Sequence, residues 1–169
     1  MPFSLIPDRL YRRYTDLSPQ LLHSLGVRLL LCDLDYTLAP RSVKWPDGTL
    51  REWIESCRAD GITVMILSNN RSKERVEAFC GELGIWYVGH AGKPRTRGFR
   101  QAMELAGEAP EHTAMLGDKL LTDVLGARRS GVLALMVEPL GGPVGVWNHV
   151  LHRLQQPFKE IAKRRCGKL

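Results

Sequence analysis

Val27–Leu38, V-R-L-L-L-C-D-L-D-Y-T-L, decides the fold. An apolar run ends abruptly in two carboxylates, Asp33 and Asp35, with the turn-forming Thr37 close behind. An uninterrupted run of this length predicts a central parallel strand covered on both faces, because a half-exposed strand would alternate. Acids at the carboxyl end of such a strand stand where open α/β sheets place their ligand crevice. Spaced i, i+2, both reach that crevice if the chain turns there. An isolated D-x-D reads as a polar loop after a core strand, so its meaning rests on the residues at the later strand ends.

Beyond Leu38, strands and helices alternate. A loop with Pro40, Trp45 and Pro46 leads to a helix expected from Thr49, whose spacing to Glu52 is that of a capping box. Its inward stripe is Leu50, Trp53, Ile54 and Cys57, and Gly61 stops it. Strands are expected over 62–67, 85–88, 113–116 and 132–137. Between them lie a Ser72-capped helix with Val76, Phe79, Cys80 and Leu83 inward, a helix carrying Phe99, Ala102, Met103 and Ala106, and one with Val124 and Leu125 that ends at Gly131. This rhythm predicts an α/β fold: three α/β/α layers around a parallel sheet of about five strands, with right-handed crossovers placing the strand ends along one edge. The expected division is an amphipathic N-terminal segment over 1–26, a core over 27–138, and a linker, terminal helix (roughly 144–156) and basic tail over 139–169. The N-terminal segment is read as packing on the domain, with a membrane interface as the other reading.

A chain of 169 residues, 44% hydrophobic and 25% charged, fits one domain with a real core. No stretch approaches the ~18 apolar residues of a membrane span. Pro7, Asp8 and Arg9 interrupt any secretory apolar region, so a cytoplasmic protein, peripheral on the inner face of a membrane if it meets one, is expected. Cys32, Cys57, Cys80 and Cys166 lack C-x-x-C spacing, which argues against a zinc site or a disulfide framework. The net charge of +6 comes mostly from Arg153, Lys159, Lys163, Arg164, Arg165 and Lys168, set against Glu160. Such a segment meets anionic lipid or nucleic acid, or is a solvated tail. No specific nucleic-acid motif accompanies it.

Every expected strand end up to the fourth carries a polar group: Asp33 and Asp35, Ser68 and Asn69, Lys93, then Asp118 with Asp123 five residues on. Three acids and a lysine around a hydroxyl suit phosphoryl transfer from a monoester. A carboxylate can attack phosphorus, a second acid can protonate the leaving alcohol, and a hard cation such as Mg2+ can neutralise charge. Asp33 and Asp118 could supply the carboxylate oxygens such a cation prefers.

The set D-L-D-Y-T (33–37), S-N-N (68–70), G-K-P (92–94) and G-D-K-L-L-T-D (117–123) resembles the haloacid dehalogenase superfamily. With L-I-P-D ahead of the first strand, it is similar to the YqeG-like, IIIA group, whose relatives include phosphatidylglycerophosphate phosphatases. The resemblance implies a Rossmann-like fold, Asp33 as nucleophile and Asp35 as general acid and then base, an acid that phosphatases of the superfamily carry. It implies phosphate binding by Ser68, Asn69 and Lys93, Mg2+ on Asp33, the Asp35 carbonyl and Asp118, and Asp123 behind them. Tyr36 departs from the asparagine usual in that group, a change expected to alter packing more than chemistry. His90 is read as a loop histidine. Only 34 residues separate Asp33 from Ser68 and 24 separate Ser68 from Lys93, each interval filled by a helix and a strand. No cap domain fits, so a capless (C0) site open to a bulky substrate is expected. A lipid headgroup, favoured as phosphatidylglycerophosphate, a nucleotide or nucleic-acid end, and a phosphoprotein are the candidates. A non-catalytic binding domain is the remaining alternative.

Overall fold

Six parallel strands make one sheet: Arg9–Tyr11 (β1), Leu29–Cys32 (β2), Thr63–Leu67 (β3), Tyr87–Val88 (β4), Thr113–Gly117 (β5) and Leu133–Val137 (β6). The computed structural model describes residues 5–70, 72–141 and 146–165. Spatial order is β1-β6-β5-β2-β3-β4, so the chain reverses direction across the sheet beside β2. That reversal opens a crevice at the carboxyl ends of β2 and β5. All four residues of β2 are fully buried, as the continuous apolar run requires. Cys32 is level with Ile66 on one side and Leu116 on the other. Asp33, Ser68 and Asp118 therefore leave the sheet at nearly the same height.

One face is covered by α1 (Pro19–Ser24), α2 (Gly48–Ala59) and α3 (Lys73–Leu83), whose buried stripes join Leu30, Cys32, Val64 and Ile66. Leu50, Trp53, Ile54 and Cys57 are all buried, and the Trp53 indole N–H donates to the Leu17 carbonyl at 2.8 Å. The other face is covered by α4 (Thr96–Ala106), α5 (Leu125–Ser130) and α6 (Val146–Arg165), with Phe99 fully buried against Leu29, Leu31 and Met65. Cys32, Cys57 and Cys80 are buried free thiols that serve as small apolar residues.

Three expectations need correction. The cap of α2 is Asp47, whose carboxylate accepts from Leu50 N at 2.8 Å, so no capping box starts at Thr49. A charged acceptor at the helix N-terminus also meets the dipole, which a threonine hydroxyl cannot do as well. The stretch before β2 contributes the sixth strand, β1. Asp8 N donates to the Ala134 carbonyl, and the Asp8 carboxylate accepts from Ala134 N and from Arg128, each at 2.8 Å. The terminal helix does not stop near residue 156: α6 runs to Arg165 through Pro157. A mid-helix proline costs about 3 kcal/mol. Packing beyond it compensates, since Phe158 joins the second core, Ala162 is fully buried, and the equally buried Lys159 pairs with Glu138 at 2.6 Å. Lys159 thus belongs to the core, not to a solvated tail. Residues 142–145, Cys166 and Lys168 lie outside the described residues. No helix among those described is long and apolar enough to cross a membrane.

The β1 attachment is testable. Asp8→Ala leaves the Ala134 N–H without its carboxylate acceptor and Arg128 without its ion pair. A loss of about 1–3 kcal/mol in urea unfolding is expected, and an unchanged midpoint would show that β1 is not part of the cooperative fold.

Candidate active site

Asp33 follows β2 directly, and its backbone N–H donates to Leu116 on β5 at 2.9 Å, which locks the loop to its neighbouring strand. Its carboxylate is 6% exposed by residue and faces two ammonium groups. Lys93 Nζ donates to Asp33 Oδ1 at 2.8 Å, and Lys119 Nζ is 3.8 Å from Oδ2. Lys93 Nζ also lies 2.8 Å from Asp123 Oδ1, an ion pair without hydrogen-bond alignment. Lys119 Nζ is 2.8 Å from Asp118 Oδ1, which also accepts from the Thr37 hydroxyl at 3.4 Å. Three buried carboxylates and two lysines therefore share one low-dielectric pocket, where each charge needs its partners.

Burial would strip the proton from Lys93, but Asp123 and Asp33 outweigh it and raise its pKa. Burial pushes Asp118 up to about 6, against the pull of Lys119 and with Asp123 and Asp33 adding to the rise. Asp123 is raised for the same first reason, with Lys93 opposing. One oxygen each from Asp33, Asp118 and Asp123 fall within 4.8 Å of one another, an all-oxygen set of the kind a hard cation takes. Gly117 makes this possible, since a Cβ there would lie 2.3 Å from the Asp123 carboxyl group.

The other expected residues are brought to the same edge. Ser68 is buried, its Oγ accepting from Asn70 N at 3.0 Å, so the hydroxyl hydrogen can point toward a phosphate. Asn69 is held against the lysine loop. Its amide donates to the Lys93 carbonyl at 2.9 Å and accepts from Lys93 N at 2.8 Å. One Nδ2–H and the side-chain oxygen of Asn69 thus position the lysine, and the second Nδ2–H is not used by these two bonds. Asp35 is half-buried and turned away from Asp33. It accepts from Arg75 Nε at 3.0 Å and from Asn70 Nδ2 at 2.7 Å. His90 is exposed.

Arg75, Asn70 and Lys119 escape the sequence reading. Arg75 stands on α3, forty positions from Asp35, and no local pattern links them; it stacks on Phe79 at 5.0 Å and donates to the carbonyls of Pro40 and Val43. Lys119 had a signal, since it adjoins Asp118. Tyr36 adopts a left-handed φ of 69°, a conformation asparagine tolerates well, and its ring lies 5.7 Å from Lys119 Nζ.

A parallel doubly wound sheet with paired acids and a buried lysine at its switch point defines a class of α/β hydrolases that act on phosphate esters. Comparison with known proteins makes this specific. The haloacid dehalogenase-like hydrolase family model matches residues 19–131. The chain is 32% identical over 164 residues to the probable phosphatase YqeG of Bacillus subtilis strain 168, covering 95% of this chain and 92% of that protein. It is 30% identical over 138 residues to the chloroplastic/mitochondrial phosphatidylglycerophosphate phosphatase 1 of Arabidopsis thaliana, covering 76% of this chain and 38% of that one. The fold is similar to that of the cobalt-bound deoxy-D-mannose-octulosonate 8-phosphate phosphatase of Haemophilus influenzae (TM-score 0.54, 16% identity, 79% of this chain and 90% of that one). The chain belongs to the haloacid dehalogenase-like hydrolases and is a phosphatase of that family.

The raised Asp118 pKa gives a stability prediction. The folded protein holds this proton more tightly than the unfolded chain, so stability is lost as pH climbs from the ordinary value of 3.8 to about 6. Asp118→Asn should stabilise the metal-free protein at pH 7 by about 1–3 kcal/mol, with the difference vanishing near pH 4. Thermal unfolding in chelator checks this, and a less stable variant at pH 7 would refute it.

Proposed function

We propose that the chain hydrolyses phosphate monoesters through an aspartyl-phosphate on Asp33, with phosphatidylglycerophosphate the favoured substrate. The observation that carries the chemistry is the Lys93 bridge. It ties up Asp33 Oδ1 at 2.8 Å and leaves Oδ2 to attack. Asp33 Oδ2 bonds to phosphorus as the ester oxygen departs, and Asp35 turns from Arg75 and Asn70 to give that oxygen a proton. Asp35 then takes a proton from the water that attacks the same phosphorus, which returns Asp33 to its carboxylate. Ser68, Lys93 and Lys119 hold the non-bridging oxygens, donors fixed before charge develops.

The carboxylates fit a hard divalent cation, read here as Mg2+. Asp33, the Asp35 carbonyl and Asp118 would hold it, with Asp123 kept behind them by Lys93. When bound, such a cation neutralises phosphate charge. The Lys119 ammonium, 2.8 Å from Asp118 and 3.8 Å from Asp33, marks the same spot as one where positive charge is stabilised. Support for a lipid is coarser: the resemblance to the Arabidopsis phosphatase and a site edge without a cap domain among the described residues.

Asp33→Asn should lower phosphate release by at least about 10^4-fold, as removal of a covalent nucleophile does. Asp35→Asn should slow alkyl phosphates about 10^2–10^4-fold while sparing esters with acidic leaving groups such as p-nitrophenyl phosphate. Alkyl ester hydrolysis by Asp35→Asn at the wild-type rate would remove the general-acid assignment. For the substrate, phosphate release from phosphatidylglycerophosphate in vesicles should exceed that from soluble sugar and nucleotide esters. No turnover of the lipid beside good turnover of soluble esters would reject it.

A further inference from the structure

We infer that the carboxyl edge of the sheet seats itself on an anionic lipid bilayer through the loop Arg41–Trp45, which forms the rim of the active site; this rests on the lipid-phosphatase reading above. The loop is R-S-V-K-W, and all five residues are exposed, Val43 at 36% and Trp45 at 57%. Val43 lies between Arg41 and Lys44, Trp45 follows Lys44, and both apolar side chains are held in water. Nothing in the core contacts of the described residues uses them. Arg41, Val43, Lys44 and Trp45 combine cations with apolar side chains as segments at a membrane–water interface do, the indole at headgroup depth and the cations on lipid phosphates.

The loop is attached to the chemistry by one side chain. Arg75 donates through Nε to Asp35 Oδ1 at 3.0 Å, through Nη2 to the Pro40 carbonyl at 3.1 Å, and through Nη1 to the Val43 carbonyl. Val43 is therefore one guanidinium away from the proposed general acid. On the far side of the crevice, Leu121 follows Asp118 and Lys119 and is 51% exposed. Between the loop and the segment after β6 lies a groove of about 330 Å3 lined by Leu38, Pro40, Val43, Trp45 and Leu140, with Arg13 at its side. A lipid whose phosphate reached Asp33 from a bilayer would have apolar surface beside it at this rim.

Charge is arranged in the same sense. Exposed Arg41, Lys44 and Arg95 in loops and Lys73 at the start of α3 stand at the carboxyl edge, against exposed Asp47, which caps α2, and Glu74 on α3. The amino edge is mixed, exposing Asp60, Glu82 and Glu111 beside Arg28, Arg58 and Arg129. The cations of the loop itself, Arg41 and Lys44, are therefore the charges that would meet lipid phosphates. A nucleic-acid strand would also meet the cations and could stack one base on Trp45, but Val43 and Leu121 offer no further stacking platform and suit a bilayer better.

Sedimentation of the full chain with phosphatidylglycerol and phosphatidylcholine vesicles tests this. The wild type should bind the anionic vesicles preferentially. Arg41→Ala/Lys44→Ala should weaken that binding about 25-fold, near fivefold per cation, and Trp45→Ala should weaken it at least severalfold. All should hydrolyse p-nitrophenyl phosphate at the wild-type rate, which also reports that they fold. Wild-type vesicle affinity in these variants would overturn the inference, as would no vesicle binding by the wild type or a loss confined to Arg153, Lys163 and Arg164 variants on α6. Binding to a single-stranded oligonucleotide but not to vesicles would also overturn it. Loop-dependent vesicle binding without hydrolysis of phosphatidylglycerophosphate would leave the docking surface standing and reject the substrate. Hydrolysis of that lipid with loop-independent binding would do the reverse.

Discussion

A lysine ammonium with almost no access to water needs fixed negative charge beside it, and the site is arranged to meet that demand at Lys93. Asp33 and Asp123 supply the charge at 2.8 Å each, and the Asn69 amide grips the lysine's backbone from both sides. Close packing beneath the lysine loop depends on absent side chains. A Cβ at Gly98 would lie 2.7 Å from the Ala91 carbonyl, and one at Gly126 would press on the Phe99 ring at 2.6 Å. Helices α4 and α5 can thus approach closely enough to hold the 91–94 loop over the end of β2. Burying this many charges is costly, and the raised Asp118 pKa is a direct sign of it. Such strain is common where a protein reserves space for a doubly charged cation and a phosphate.

The two aspartates of the first loop differ by environment, not by type. Asp33 lies deep, between two lysines, and its orientation is locked by the hydrogen bond to β5. Asp35, two positions on and just before the left-handed turn at Tyr36, sits among Arg75 and Asn70 from the next strand–helix unit. One carboxylate is held still while the other has partners it can exchange. That is the asymmetry required of a nucleophile and a proton shuttle working on one phosphorus.

Much of this was legible in the residues because it is carried by short-range pattern. The apolar run into Asp33, the stripe Leu50–Trp53–Ile54–Cys57 and the ordered appearance of Ser68, Lys93 and Asp118 each arise from local periodicity plus parallel topology. What stayed hidden depends on distant contacts. β1 is three residues long and exists because Asp8 meets Ala134, across 126 positions. Arg75 looks like a solvent-facing helical cation until α3 is docked beside Asp35. Pro157 is a reasonable stop signal, overridden only once Phe158 and Ala162 find the sheet. Asn69 stands next to Ser68 in sequence, and only the geometry shows its amide gripping the Lys93 backbone, 24 positions away.

The central claim is that Asp33 becomes covalently phosphorylated. Rapid quenching during turnover, borohydride reduction of acyl phosphates and peptide mass mapping test it most directly. The account predicts conversion of residue 33 to homoserine, dependent on substrate and absent in Asp33→Asn. An intact Asp33 with reduction at another carboxylate, or no reducible species at any time before product release, would contradict it.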